Sequence, residues 1–179
     1  GNIIHRDLKP ENILVSISNC RIQITDFGLA RGVNTDVDSP QKLTEYVVTR
    51  WYRAPEVMCC RKWYEARIDV WSLGCIISEL YTRKPLWKGK HSRDQLSLIF
   101  DTLGTPTNTS WITTESQKRW VQQLPYKPPK DLSQVLPGST PLARDFIAQC
   151  LIYNPAQRPT ITQVIDHPFL ASRKRDRHY

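Results

Sequence analysis

Hydrophobic and polar positions along this chain change their period several times, and each change predicts an element. Ile13-Leu14-Val15 and Ile22 to Ile24 are short β-type runs separated by Ser18-Asn19-Cys20, which predicts a small hairpin. Residues 26–56 are polar and turn-rich, with Gly28, Gly32 and Pro40, and read as one long loop beside it. From Ile68 to Tyr81, apolar residues (Val70, Trp71, Leu73, Cys75, Ile76, Ile77, Leu80) occupy nearly all sides. That predicts a helix buried all round, the pillar of the core. Ser92-x-x-Gln95 fits a capping box, and Leu96, Ile99, Phe100 and Leu103 follow at helical spacing up to Gly104. Residues 104–140 are proline-rich and predict loop with short helical turns. Thr140-Pro141 reads as an N-cap followed by proline in the first helical position, with Ala143, Phe146, Ile147, Cys150 and Leu151 along one face. Thr160-x-x-Gln163 opens a last short helix, closed by Pro168. The expected architecture is mainly α with one small hairpin.

Composition narrows the class. With 179 residues, 40% hydrophobic and 23% charged, the chain fits one domain or a large piece of one, and wholesale disorder is excluded. Lys and Arg exceed Asp and Glu by 25 to 17, and Arg173, Lys174, Arg175 and Arg177 in the tail carry part of that excess. A basic tail without interleaved aromatics reads as a solvated end, so nucleic acid is not an expected partner. Five cysteines without a C-x-x-C pair argue against a disulfide framework or zinc knuckle and for free thiols in a reducing compartment, cytoplasmic or nuclear. No stretch approaches the apolar length of a spanning helix, and no membrane partner is expected.

The chemistry concentrates near the beginning. His5-Arg6-Asp7-Leu8-Lys9-Pro10-Glu11-Asn12 fits H-R-D-L-x-x-x-N, and Asp26-Phe27-Gly28 and Ala54-Pro55-Glu56 follow in order. On these motifs the chain resembles a eukaryotic protein kinase over residues 1 to about 170, with 171–179 as a basic tail. The resemblance implies a C-terminal lobe: a helical bundle with a small β-hairpin at the catalytic cleft. It also implies the site. Asp7 would take the proton of a substrate hydroxyl, and Lys9 would meet the γ-phosphate of ATP. Asn12 and Asp26 would offer oxygens to Mg²⁺, a hard cation, and Gly28 would permit the turn after Asp26. His5 is expected as a packed, hydrogen-bonded residue holding the loop.

Leu43 to Glu56 is more specific. Thr44-Glu45-Tyr46 within it resembles the dual phosphorylation site in the activation lip of mitogen-activated protein kinases. The resemblance implies that Arg6 and Arg31 meet phospho-Thr44 and that Arg50 and Arg53 meet phospho-Tyr46, since each added phosphate must be neutralised for the loop to order. Val48 stands where the family usually has Ala in the pocket that accepts proline after the target residue, and Thr49 would steady Asp7 and Lys9. Glu56 and Arg158 match the buried ion pair tying the lip to the helical base. Asp69 matches the aspartate that braces the catalytic loop, with Trp71 as core. Lys84 to His91 and Asp94-Gln95-Leu96 resemble the mitogen-activated and cyclin-dependent branch, and residues 104–140 occupy the place of its insert.

No glycine-rich loop, paired lysine or partner glutamate stands upstream, so the N-terminal lobe is expected to be absent and the isolated chain inactive. The resemblance implies a fragment of a proline-directed Ser/Thr kinase. Its expected partners are protein substrates with Ser-Pro or Thr-Pro sites, an upstream dual-specificity kinase and phosphatases. Two other readings stay open: a cyclin-dependent-like fragment, and a non-catalytic scaffold or decoy lobe.

Overall fold

A computed structural model describes residues 3–32, 50–60 and 66–171. The chain opens with β1 (Ile3–Ile4), a 3-10 turn at Pro10–Asn12, β2 (Ile13–Val15) and β3 (Ile22–Ile24). A second 3-10 turn at Phe27–Leu29 leads into β4 (Arg31–Gly32). β2 and β3 form the expected hairpin, with Ile13 opposite Ile24 and Val15 opposite Ile22. β1 pairs antiparallel with β4, Ile4 opposite Arg31, and so carries the start of the chain back beside the segment after Asp26. That second ladder and a helix from Pro55 interrupt the loop expected over 26–56. Strands of two residues are too short for a period of two to show in a sequence.

Eight helices are described: α1 (Pro55–Cys59), α2 (Arg67–Thr82), α3 (Ser92–Leu103), α4 (Glu115–Gln122), α5 (Leu132–Val135), α6 (Pro141–Cys150), α7 (Ile161–Ile165) and α8 (Pro168–Ala171). The architecture is mostly helical with small antiparallel ladders, as expected for a kinase fragment. The core sits where α2, α3 and α6 meet, around Trp71, Leu96, Ile99, Phe100, Phe146 and Ile147. Trp71 stacks against Trp87 at 5.9 Å and Tyr153 at 6.5 Å, and Trp111 stacks on Tyr153 from the far side. α2 and α6 approach closely at Gly74, where a Cβ would lie 2.7 Å from Cys150 Cβ, so a larger residue there would push the helices apart.

Two expectations about helices are corrected. α2 is not buried all round: Leu80 is 67% exposed and Leu73, Ile76 and Ile77 are only partly covered. These four residues form a stripe at helical spacing on the side turned away from α6. The capping box at Ser92 is also displaced. His91 is the N-cap of α3, its Nδ1 accepting Asp94 N–H at 3.2 Å, and Ser92 is already helical. The helix starts one residue earlier than the box requires, which turns Gln95 inward. The other caps stand where expected: Thr140 accepts Ala143 N–H, and Thr160 and Gln163 exchange both bonds of a capping box. Pro168 opens α8 as well as ending the helix before it.

All five cysteines are free. Among the described residues, no helix is long and apolar enough to cross a membrane.

Candidate active site

The site begins with three residues between two short elements. Pro10 presets the 3-10 turn that ends in Asn12, and the turn folds Asn12 back over Asp7. Asn12 Nδ2 donates to Asp7 O at 2.9 Å and to Asp7 Oδ2 at 3.4 Å. Both targets can only accept, so the amide nitrogen faces Asp7 and Oδ1 is turned away from it. Lys9 Nζ lies 3.2 Å from Asp7 Oδ2. Asp7 is 8% exposed and Asn12 6%. The result is a nearly covered carboxylate held by one cation and one amide.

Asp26 enters from the hairpin. Thr25 N–H donates to Asn12 O at 2.9 Å, which continues the β2–β3 ladder by one step. Asn12 and Asp26 therefore emerge at the same end of the hairpin, Asp26 one residue beyond the position opposite Asn12. Asp26 is exposed and adopts the left-handed conformation, φ 59°, with Oδ1 accepting Gly28 N–H. This corrects the expected turn: the unusual backbone angle falls on Asp26 itself, not on Gly28. Aspartate tolerates that region better than most side chains because its short carboxylate can bond the backbone locally.

His5 ties the two parts together. Its Nε2 donates to Thr25 O at 2.8 Å, while Nδ1 accepts Asp7 N–H at 3.3 Å. A carbonyl only accepts and an amide N–H only donates, so the ring carries its proton on Nε2. Its edge meets Phe27 at 5.0 Å. His5 thus joins the backbone of Asp7 to the strand that presents Asp26.

Asp69, in the first turn of α2, braces the same loop from below. Its two carboxylate oxygens accept His5 N–H at 2.7 Å and Arg6 N–H at 2.9 Å. Arg6 has φ 71°, a conformation unfavourable for a residue with a Cβ, and the Asp69 bond holds it there. Burial pushes the Asp69 carboxyl above the usual carboxylate range, and the two N–H bonds partly offset this.

The segment before α1 is tied to α2 as well. Tyr52 Oη donates to Glu79 Oε2 at 2.6 Å, and Ser72 Oγ donates to Tyr52 O at 2.8 Å. Burial and the Glu79 carboxylate hold the Tyr52 phenol well above its ordinary range. Glu56 of α1 meets Arg158 in a two-pronged pair, Nη1 to Oε1 at 2.7 Å and Nη2 to Oε2 at 2.9 Å. Both side chains are almost fully covered, and Arg158 lies over the Trp71 ring at 5.2 Å. Sequence reasoning missed Tyr52, Ser72 and Glu79 as anchors. Their partners lie 20 or more residues apart, so no local spacing marks them.

Of the remaining expected site residues, Arg31 stands opposite Ile4 in the β1–β4 ladder, two residues before Arg6. Arg50 donates through Nη1 to Lys90 O at 2.8 Å, and Arg53 N–H donates to Arg50 O. Thr44, Tyr46, Val48 and Thr49 lie outside the described residues, as does the basic tail from 172 onward.

The donor chemistry suits a magnesium ion. An amide oxygen and a carboxylate at one hairpin end are hard ligands, and Mg²⁺ characteristically takes one or two such protein groups and fills its shell with phosphate and water. Among the described residues, no group of three or more His, Cys, Asp or Glu forms a metal cluster of its own.

The chain has relatives among known proteins. The family model described as protein kinase domain matches residues 1–170. The chain belongs to the protein kinase family. Within it, the similarity is to mitogen-activated protein kinases. The chain is 44% identical over 172 residues to "Mitogen-activated protein kinase mpkB" of Aspergillus fumigatus, covering 95% of this chain and 48% of that protein. It is 45% identical over 173 residues to "Mitogen-activated protein kinase 2" of Arabidopsis thaliana, covering 96% and 45%. It is 44% identical to "Mitogen-activated protein kinase mpk-1" of Caenorhabditis elegans, covering 95% and 38%. The kinase chain thus spans less than half the length of these curated relatives.

Proposed function

We propose that this chain is the C-terminal lobe portion of a proline-directed serine/threonine kinase of the mitogen-activated type, acting in the cytoplasm or nucleus. The observation that carries the reading is the Asp7 carboxylate, held by Lys9 and Asn12 one ladder step from Asp26. A fixed, nearly covered carboxylate can accept a hydrogen bond from a Ser or Thr hydroxyl and receive its proton during transfer. Lys9, a compact point charge beside it, suits a transferring γ-phosphoryl group. Asn12 Oδ1 and the Asp26 carboxylate would hold Mg²⁺, which supplies charge neutralisation at the ATP phosphates when bound. Exposed apolar residues beside the site (Leu14, Val15, Ile22, Ile24) suit a nucleotide-cradling lobe closing over the hairpin.

Phosphorylation of Thr44 and Tyr46 by an upstream dual-specificity kinase, with arginines at 6, 31, 50 and 53 to receive the phosphates, belongs to the same proposal. The deciding experiment uses a longer protein that joins this chain to its N-terminal lobe, phosphorylated at both positions. Transfer of phosphate from ATP to a Ser-Pro peptide is expected, and Asp7→Ala should lower the rate by roughly 10²–10⁴-fold. No transfer, or transfer unaffected by Asp7→Ala, sinks the reading.

A further inference from the structure

The loop between α2 and α3 and the first turn of α3 carry three cations that the site above does not use. Lys88, Lys90 and Arg93 are exposed. Arg50 reaches the same place from the segment before α1, donating to Lys90 O. Among the described residues, no carboxylate lies within ion-pair distance of Lys88, Lys90 or Arg93. The nearby acid, Asp94, directs Oδ2 to the backbone N–H of Lys90 at 2.7 Å. The N-terminus of α3, with its partial positive charge, opens at the same point.

Like charges repel, so something must hold this arrangement. The fully buried Gln95 does. Its Oε1 accepts Gly89 N–H at 2.8 Å, and its Nε2 donates to Trp51 O at 3.3 Å, locking the loop to the segment before α1. The approach is so close that a Cβ on Gly89 would lie 2.5 Å from the Gln95 backbone. Two of the cations are laid along aromatic rings: Lys88 over Trp51 at 5.2 Å and Arg93 over Trp120 at 5.5 Å. Side chains already placed in this way lose less freedom when a ligand arrives.

We propose that this ridge is a docking surface for an acidic segment of a polypeptide partner. Lys88, Lys90 and Arg93, with no carboxylate of their own among the described residues, complement a run of Asp, Glu or phosphorylated residues. Nucleic acid fits less well. Single strands bind such surfaces by stacking bases on open aromatic faces, and here Trp51 and Trp120 are each capped by a cation. The inference concerns binding alone and stands apart from phosphoryl transfer.

Fluorescence anisotropy on the whole chain tests it, with a labelled Glu-rich peptide, its Gln-rich counterpart and a single-stranded oligonucleotide as probes. The Glu-rich peptide should bind, the Gln-rich one should not, and binding should vanish at about 1 M salt, where the screening length is roughly 3 Å. Lys88→Glu with Lys90→Glu should weaken binding about tenfold or more, each exposed pair being worth a few tenths to one kilocalorie and each reversal replacing attraction by repulsion. Arg21→Glu with Lys130→Glu changes net charge equally on other exposed positions and should leave binding within about twofold. Lys90→Glu alone, which spares the Trp51 contact, should give an intermediate loss. Equal weakening by both double variants overturns the proposal. So does absent peptide binding, or oligonucleotide binding that is tighter than peptide binding and lost in the ridge variants.

Discussion

The core around Trp71 and the β2–β3 hairpin face opposite kinds of surroundings. Around Trp71, the helix is enclosed by α3, α6 and the Glu56–Arg158 pair, and side chains there are almost fully covered. In the hairpin and just after it, Leu14, Val15, Ile22, Ile24 and Phe27 are each around half exposed or more, and Ile17 is 100% exposed. The first region carries the covered core, and the second leaves apolar side chains exposed. The loop that carries Asp7 hangs between them: Asp69 fixes it to the covered region, and His5 and Asn12 fix it to the open one.

Breaking the covered region should therefore cost far more than altering the open one. Glu56→Ala leaves the Arg158 guanidinium buried without its carboxylate and should destabilise the chain by roughly 3–5 kcal/mol. Denaturant unfolding measures this, and a loss under about 1 kcal/mol would mean that the pair is open to water.

Alkaline pH tests the same region through its thiols. Burial pushes Cys59 and Cys75 well up, and Cys150 up to about 12. Between the ordinary thiol range and these raised values, the unfolded chain has lost protons that the folded chain retains. The unfolded state binds fewer protons there, so stability is fully present below about pH 8.5 and falls as pH rises above it. The initial slope approaches roughly 1.4 kcal/mol per pH unit for each thiol, and Tyr52 and Tyr153, also raised, add to it further up. A Tm that is flat between pH 8 and 10 would contradict this burial.

Thr160→Ala removes a complete capping box and should cost about 1 kcal/mol, read in the same unfolding assay. Smallest of all, Ile17→Ser should change stability by less than about 0.5 kcal/mol. A loss comparable to that of a core residue would show that Ile17 is covered, and the contrast between the two regions would fail.

Features with partners a few residues apart were legible in the sequence. Thr140 and Thr160 cap helices whose donating N–H groups lie three positions on, and the hairpin pairs Ile13 with Ile24 across a short turn. His91 was not legible as a cap because a ring nitrogen in that role has no strong sequence signature, and the helix start shifted by one residue in consequence. Asp69, Glu56 and Arg158 were readable only through family resemblance, since their partners lie between 63 and 102 residues away. The left-handed angles at Arg6 and Asp26 carried no signal, for neither residue is a glycine.

Sequence alone determined the residue types and order of the candidate site, because carboxylate, lysine, amide and second carboxylate are chemical identities that no fold can change. It also determined the longer helices α2, α3 and α6, through apolar period and local caps. Tertiary structure decided which side of α2 is covered, where the strained backbone falls and how Gln95 locks a basic loop onto Trp51. Those outcomes depend on contacts between distant segments, and packing selects such contacts by shape and by the need to pair every buried polar group.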